Sequence, residues 1–152
     1  MIRSRKPSTL VRLATMSALV VLLASMVDAQ ISIVVAKSST QTASASELKL
    51  MFTGSKFNWP GGTKVVVVDQ SESTVGRAFY EKFVGKSVSQ VRSEWNKLVL
   101  SGQAIGPRKC ASDEAVKKSV AENPNAVGFV ATSALDESVK EIYRVIAFVK
   151  NE

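Results

Sequence analysis

The stretch VVVVDQSESTV, Val65 to Val75, decides the fold. Four consecutive valines bounded by Lys64 and Asp69 read as a strand covered on both faces, because a strand with one wet face alternates apolar and polar residues. The polar turn Asp69-Gln70-Ser71-Glu72-Ser73 then opens a helix to about Val84, with Val75, Ala78, Phe79 and Phe83 at helical spacing. A buried strand feeding straight into an amphipathic helix is the building unit of a layered α/β domain.

Downstream the same alternation continues. Ser87 caps a helix carrying Val88, Val91, Trp95, Leu98 and Val99 at steps of three and four, which makes Trp95 a packing residue. Ser101 to Lys109, with Gly102, Gly106 and Pro107, reads as a loop. Ser112-Asp113-Glu114 starts a helix to about Ala121, with acidic residues where the helix dipole favours them. Val127–Val130 is a short strand, residues 133–137 a turn or short helix, and Ile142–Phe148 a last strand. Upstream, Trp59-Pro60-Gly61-Gly62 marks a turn. A short helix capped at Ser46 runs to Phe52, with Leu48, Met51 and Phe52 on one face. A polar loop from Lys37 precedes it, and before that Ile31–Ala36 reads as a buried strand.

The first residues read differently. Arg3, Arg5, Lys6 and Arg12 form a basic start, Leu13 to Met26 an apolar run, and Val27-Asp28-Ala29 a small-residue end. That order is the pattern of a secretory signal peptide. The run is too short for a membrane span, which needs about 20 apolar residues. We expect cleavage after Ala29, so that residues 1–29 are the leader and residues 30–152 the exported domain, located in the periplasm. The leader carries four basic residues and one acidic one, so the formal charge falls from +7 to about +4 on its removal.

Composition excludes several chemistries. The chain has no histidine, which rules out Ser-His-Asp and Cys-His centres and disfavours a zinc site. We expect no enzyme activity, no metal and no cofactor. Cys110 is the only cysteine, so no intramolecular disulfide forms. The exported part has no Lys/Arg run longer than two, against a nucleic-acid partner.

The start of the helix after Val65–Val68 is the candidate binding site, because free backbone N–H groups and the dipole converge there. Ser71, Ser73 and Thr74 add hydroxyls, and Arg77 adds a cation in the first turn, where it opposes the dipole unless an anion offsets it. The alternative is local: Ser71 or Ser73 is simply the N-cap, and Arg77 pairs with Glu72 or Glu81. Ser38 and Ser39, in the loop after the first strand, are a second candidate rim, since loops after strands in α/β sheets are usual ligand positions.

Several segments together resemble a known family. Leu48-Lys49-Leu50-Met51-Phe52-Thr53-Gly54, Trp59, Val65–Gln70, Arg77-Ala78-Phe79-Tyr80 and residues 123–130 (NPNAVGFV) are similar, in order and spacing, to landmarks of the substrate-binding proteins of phosphate ABC transporters, in the type 2 periplasmic-binding superfamily. The resemblance implies an α/β fold, a central mostly parallel sheet flanked by helices, forming a single lobe where family members clamp ligand between two. It implies a periplasmic solute-binding role for phosphate or another small oxyanion, in ABC-type uptake or sensing, with an inner-membrane transporter or sensor as partner and a homodimer as an option for a lone lobe. The sequence departs from the family at the phosphate loop: Ser73 matches the family serine, but Thr74 stands for its glycine, Val75 for its threonine and Asp69 for its arginine. A carboxylate at that place repels a phosphate, and Arg77, one turn on, is the candidate replacement charge. The competing expectation is a protein-interaction module that binds no small molecule and works with a membrane sensor or transporter.

Overall fold

The structure, a computed structural model, describes residues 26–150, with side chains in the first and last strands described over residues 30–146. In chain order the elements are β1 (Met26–Ala36), α1 (Ala45–Phe52), β2 (Val66–Asp69) and α2 (Thr74–Phe79), which continues as a π-helical turn over Tyr80–Val84. There follow α3 (Val88–Leu100), β3 (Arg108–Lys109), α4 (Asp113–Ala121), β4 (Ala126–Ala131), a 3-10 turn (Thr132–Ala134) and β5 (Val139–Lys150). The leader expected over residues 1–29 lies outside the described residues except for Met26–Ala29, which are the first four of β1 and pair with Ala147–Lys150.

One five-stranded sheet, in the order β3-β2-β4-β1-β5, forms the middle layer. β2 runs parallel to β3 and to β4, whereas β1 is antiparallel to both β4 and β5. Four strands therefore point one way, as expected of a mostly parallel sheet, and β1 alone runs against them. The β1–β5 ribbon pairs from Met26 opposite Lys150 to Ala36 opposite Val139, while β4 meets β1 only over Ile31–Val34. The ribbon thus extends beyond β4 at the end where Ala131 sits.

The strand takes in three of the four valines, Val66 to Val68, and Asp69, and its buried part is covered on both faces. Val67 joins Phe79 in the larger core and Val68 joins Val116 and Val120 in the smaller one, on opposite faces of the sheet. Phe79 stacks on Phe129 with ring centroids 3.9 Å apart, and Phe52 meets both edge-on at 4.8 and 5.7 Å. Trp95 is buried in this core and donates its indole N–H to the Phe52 carbonyl at 2.9 Å. Trp59 is also buried and donates to the Asn125 carbonyl at 3.0 Å.

Helix boundaries follow their caps. Ser87 and Ser112 cap α3 and α4 as the sequence predicts. The cap of α1 is Ser44, not Ser46: Ser44 and Glu47 form a reciprocal capping box, and only Ser44 stands three residues ahead of a glutamate. The segment expected to be a loop up to Lys109 ends in β3, whose two residues pair with Val68 and Asp69.

Candidate functional site

β2 delivers two polar residues to its carboxyl end, and strand alternation sends them to opposite faces. Asp69 turns toward the α2 side, where Tyr80 donates its hydroxyl to Asp69 Oδ1 at 2.8 Å. Gln70 turns toward α4 and is buried; its amide donates to the Phe129 carbonyl at 2.8 Å and to Asp113 Oδ1 at 2.7 Å. Asp113 also accepts from the Ala131 N–H at 3.3 Å. Gln70 therefore ties the end of β2 to the end of β4 and the start of α4.

The turn into α2 is closed from within. The Ser73 N–H donates to the Gln70 carbonyl at 3.0 Å, and its hydroxyl donates to the same carbonyl at 2.8 Å while accepting from the Gly76 N–H at 2.9 Å. Glycine at 76 is required: a Cβ there would lie 2.0 Å from the Gln70 oxygen. Ser73 is thus the N-cap. The N–H groups of Thr74 and Val75, as the first helical positions, have no intrahelical acceptor.

Arg77 is exposed, and none of the ion pairs among the described residues includes it. Glu72, one of its two expected partners, pairs instead with Arg92. Thr74 is exposed, Ser73 half-buried and Ser71 buried, so the four predicted residues cluster at this one turn with different access to solvent.

Ser38 and Ser39 lie elsewhere. They follow the one reversed strand, and its carboxyl end, Ala36, stands opposite Val139 at the amino end of β5. That is the other edge of the sheet from Ser71 and Ser73. Ser39 is buried, its hydroxyl accepting from the Gln41 N–H at 3.2 Å, and Lys140 donates to its carbonyl. The rule that loops after strands share a ligand edge applies to strands of one direction, and β1 does not share it.

Sequence reasoning missed a second polar group at the Gln70 edge. Ser32, fully buried, meets Thr132 at 2.8 Å and donates to Glu141, which Arg144 holds at 2.9 Å. Burial pushes the Glu141 carboxyl up, but hydrogen bonds from Arg144 and Ser32 outweigh it and hold the group below its ordinary range. A serine interrupting the apolar run Ile31–Ala36 was the available signal. Cys110 is half-buried, and burial pushes its thiol up.

Comparison with solved structures fixes the fold. The chain is similar to an ABC-type phosphate transport receptor from Vibrio cholerae, at 23% identity over 77% of this chain and 48% of that one, with a TM-score of 0.57. It is similar to a chain from Clostridium perfringens, described as a phosphate ABC transporter substrate-binding protein with bound phosphate, at 19% identity over 91% and 52%, TM-score 0.59. PstS from Borrelia burgdorferi aligns at 13% identity over 78% and 48%, TM-score 0.57. The chain spans about half the length of each. No family model and no curated relative matches it.

Proposed function

We propose, from a fold shared with phosphate-transport binding proteins, that this chain is an exported solute-binding-type protein holding a small oxyanion such as phosphate at the start of α2, for uptake or sensing. The observation that carries the reading is Arg77: an exposed cation three residues past Thr74, without a carboxylate partner among the described residues, on a short helix whose first two N–H groups have no intrahelical acceptor. An anion there meets the N–H groups of Thr74 and Val75, the Thr74 hydroxyl and the Arg77 guanidinium. Ser71 and Ser73 belong to the same turn, and the Ser73 bonds to Gln70 and Gly76 shape it. Ser38 and Ser39, on the opposite edge, take no part in this reading. Binding is non-covalent, without metal or cofactor, and the protein is not an enzyme.

One lobe gives an open surface, whereas small-molecule sites usually bury most of the ligand. The remaining wall is supplied by a second copy or by a membrane transporter or sensor in the periplasm. Titration calorimetry of the exported protein with phosphate, sulfate as control, tests the reading. Saturable phosphate binding lost in Arg77→Ala is the expected result; no heat at millimolar phosphate refutes it.

A second reading, a protein-interaction module, is favoured by one observation. Leu100 and Ile105 are 87% and 81% exposed, with Val99 beside them at the end of α3. Two nearly bare aliphatic side chains, one ending α3 and one in the loop after it, are an unusual surface for a chain with no partner. Loss of partner capture in Leu100→Ser/Ile105→Ser, with phosphate binding absent throughout, is the result that selects it.

A further inference from the structure

Asp69 and Lys109 are directly opposed across the parallel β2–β3 pair. Opposed residues on neighbouring strands, about 4.8 Å apart, project to the same face, and opposite charges so placed ordinarily meet. No ion pair joins these two among the described residues. Both line a cavity of about 120 Å³ between β2, α3 and the Gly106–Pro107 approach to β3. Val88, Val91 and Trp95 give it an apolar side, and Ser71, Arg92 and Asn96 add polar groups to its lining.

The carboxylate at its base is incompletely satisfied. Asp69 is 4% exposed, and its one side-chain hydrogen bond is the Tyr80 hydroxyl on Oδ1. No fully sealed side-chain oxygen or nitrogen lacks a partner among the described residues, so Oδ2, which has no hydrogen-bond partner there, keeps some access, and Asp69 is one of the residues that line the cavity. A carboxylate has room for several donors, and a buried one is costly without them. Burial pushes the Tyr80 phenol well above its ordinary range, so Tyr80 stays a donor and offers no positive charge. Arg92, at the rim, is already engaged by Glu72. Lys109, exposed at the mouth, is in no ion pair among the described residues.

The cavity thus presents a buried carboxylate, an apolar side and an exposed lysine that is unpaired among the described residues. We propose that it binds a small zwitterion with a short aliphatic body, an α-amino acid, its ammonium on Asp69 Oδ2 and its carboxylate on Lys109. The volume, below the roughly 300–1,000 Å³ of drug-sized sites, excludes a peptide. The site takes a different ligand from the oxyanion reading and adjoins it through Asp69 and Ser71, which line this cavity.

Calorimetry with L-valine, isobutylamine and isovalerate separates the two charges, because each analogue lacks one of them. Saturable L-valine binding is expected, with each analogue at least about tenfold weaker, the value of one charged hydrogen bond. Asp69→Asn weakens L-valine by a similar factor while phosphate affinity of the same protein does not fall, because the change removes a repelling carboxylate and no phosphate donor. Lys109→Met, an exposed change that leaves the fold intact, weakens L-valine and leaves isobutylamine as it was. No L-valine heat in folded protein, isobutylamine equal to L-valine, or an unaffected Lys109→Met each overturns the proposal. Phosphate binding without L-valine binding overturns it alone and leaves the oxyanion reading standing.

Discussion

Tyr80 donates its hydroxyl to Asp69 at 2.8 Å, with the two residues 1% and 4% exposed. The contact joins the π-helical turn to the end of β2, so it fixes the angle at which α2 leaves the sheet. Tyr80→Phe keeps the edge contacts to Phe79 and Phe129 but strands the carboxylate oxygen, and about 1–3 kcal/mol of stability is expected to go. Urea unfolding at pH 7 measures it.

The same pair predicts an alkaline limb. Burial, then the Asp69 charge, push the Tyr80 phenol well above its ordinary 10.0. The folded protein keeps a proton that the unfolded chain releases, so the contribution is whole below pH 10 and is lost as pH rises through the folded value. Stability of the wild type is expected to fall above pH 10 more steeply than that of Tyr80→Phe. Parallel curves would remove Tyr80 as the cause.

Gly76 and Gly128 predict overpacking of different kinds. A Cβ at 76 meets backbone, the Gln70 oxygen at 2.0 Å, whereas a Cβ at 128 meets side chains, Val116 at 2.8 Å and Val120 at 2.9 Å. Side chains give way more readily than backbone. Gly128→Ala is expected to cost about 1–3 kcal/mol, and Gly76→Ala more, with the turn at Gln70–Ser73 displaced. Thermal unfolding ranks them; an equal or smaller loss at 76 contradicts the close approach.

Acid acts at the start of α1. Hydrogen bonds from Lys56 and then Ser44 hold the Glu47 carboxyl at about 2, against an ordinary 4.5. A depressed value stabilises the fold above pH 4.5, and that contribution drains away as pH falls toward 2. Lys56→Ala is expected to raise the Glu47 titration midpoint in a carboxyl-resolved NMR titration. Ser44→Ala also removes the cap, at about 0.5–2 kcal/mol.

The elements most legible in the sequence are those whose causes are local. Ser87 and Ser112 cap their helices where a side-chain oxygen precedes an amphipathic run, and Trp95 is core because its stripe is regular. Direction is not local: Ile31–Ala36 reads as a strand from its own residues, but only pairing with β4 and β5 reveals that it runs backwards, and that reversal carries Ser38 and Ser39 to the far edge. β3 has two residues, too few for any periodicity, yet it brings Lys109 beside Asp69. Gln70 was legible as a turn residue and not as the link between β2, β4 and α4, since its partners lie 43 and 59 positions away.

Ser73 and Arg77 stand in one turn of α2 and are expected to fail in different ways. The Ser73 hydroxyl spends its hydrogen on the Gln70 carbonyl and accepts from Gly76, so Ser73→Ala is a loss of cap worth about 0.5–2 kcal/mol. Arg77 is exposed and in no ion pair among the described residues, so Arg77→Ala is expected to change stability by less than about 0.5 kcal/mol. For phosphate the order reverses. The folded Ser73→Ala protein retains most of its affinity, Arg77→Ala loses at least about tenfold, as removal of a charged donor does, and the double substitution abolishes binding. Melting curves and phosphate titrations on the three variants give both orders from one set of proteins. Should Arg77→Ala bind phosphate as the wild type does, the anion is held somewhere other than this turn.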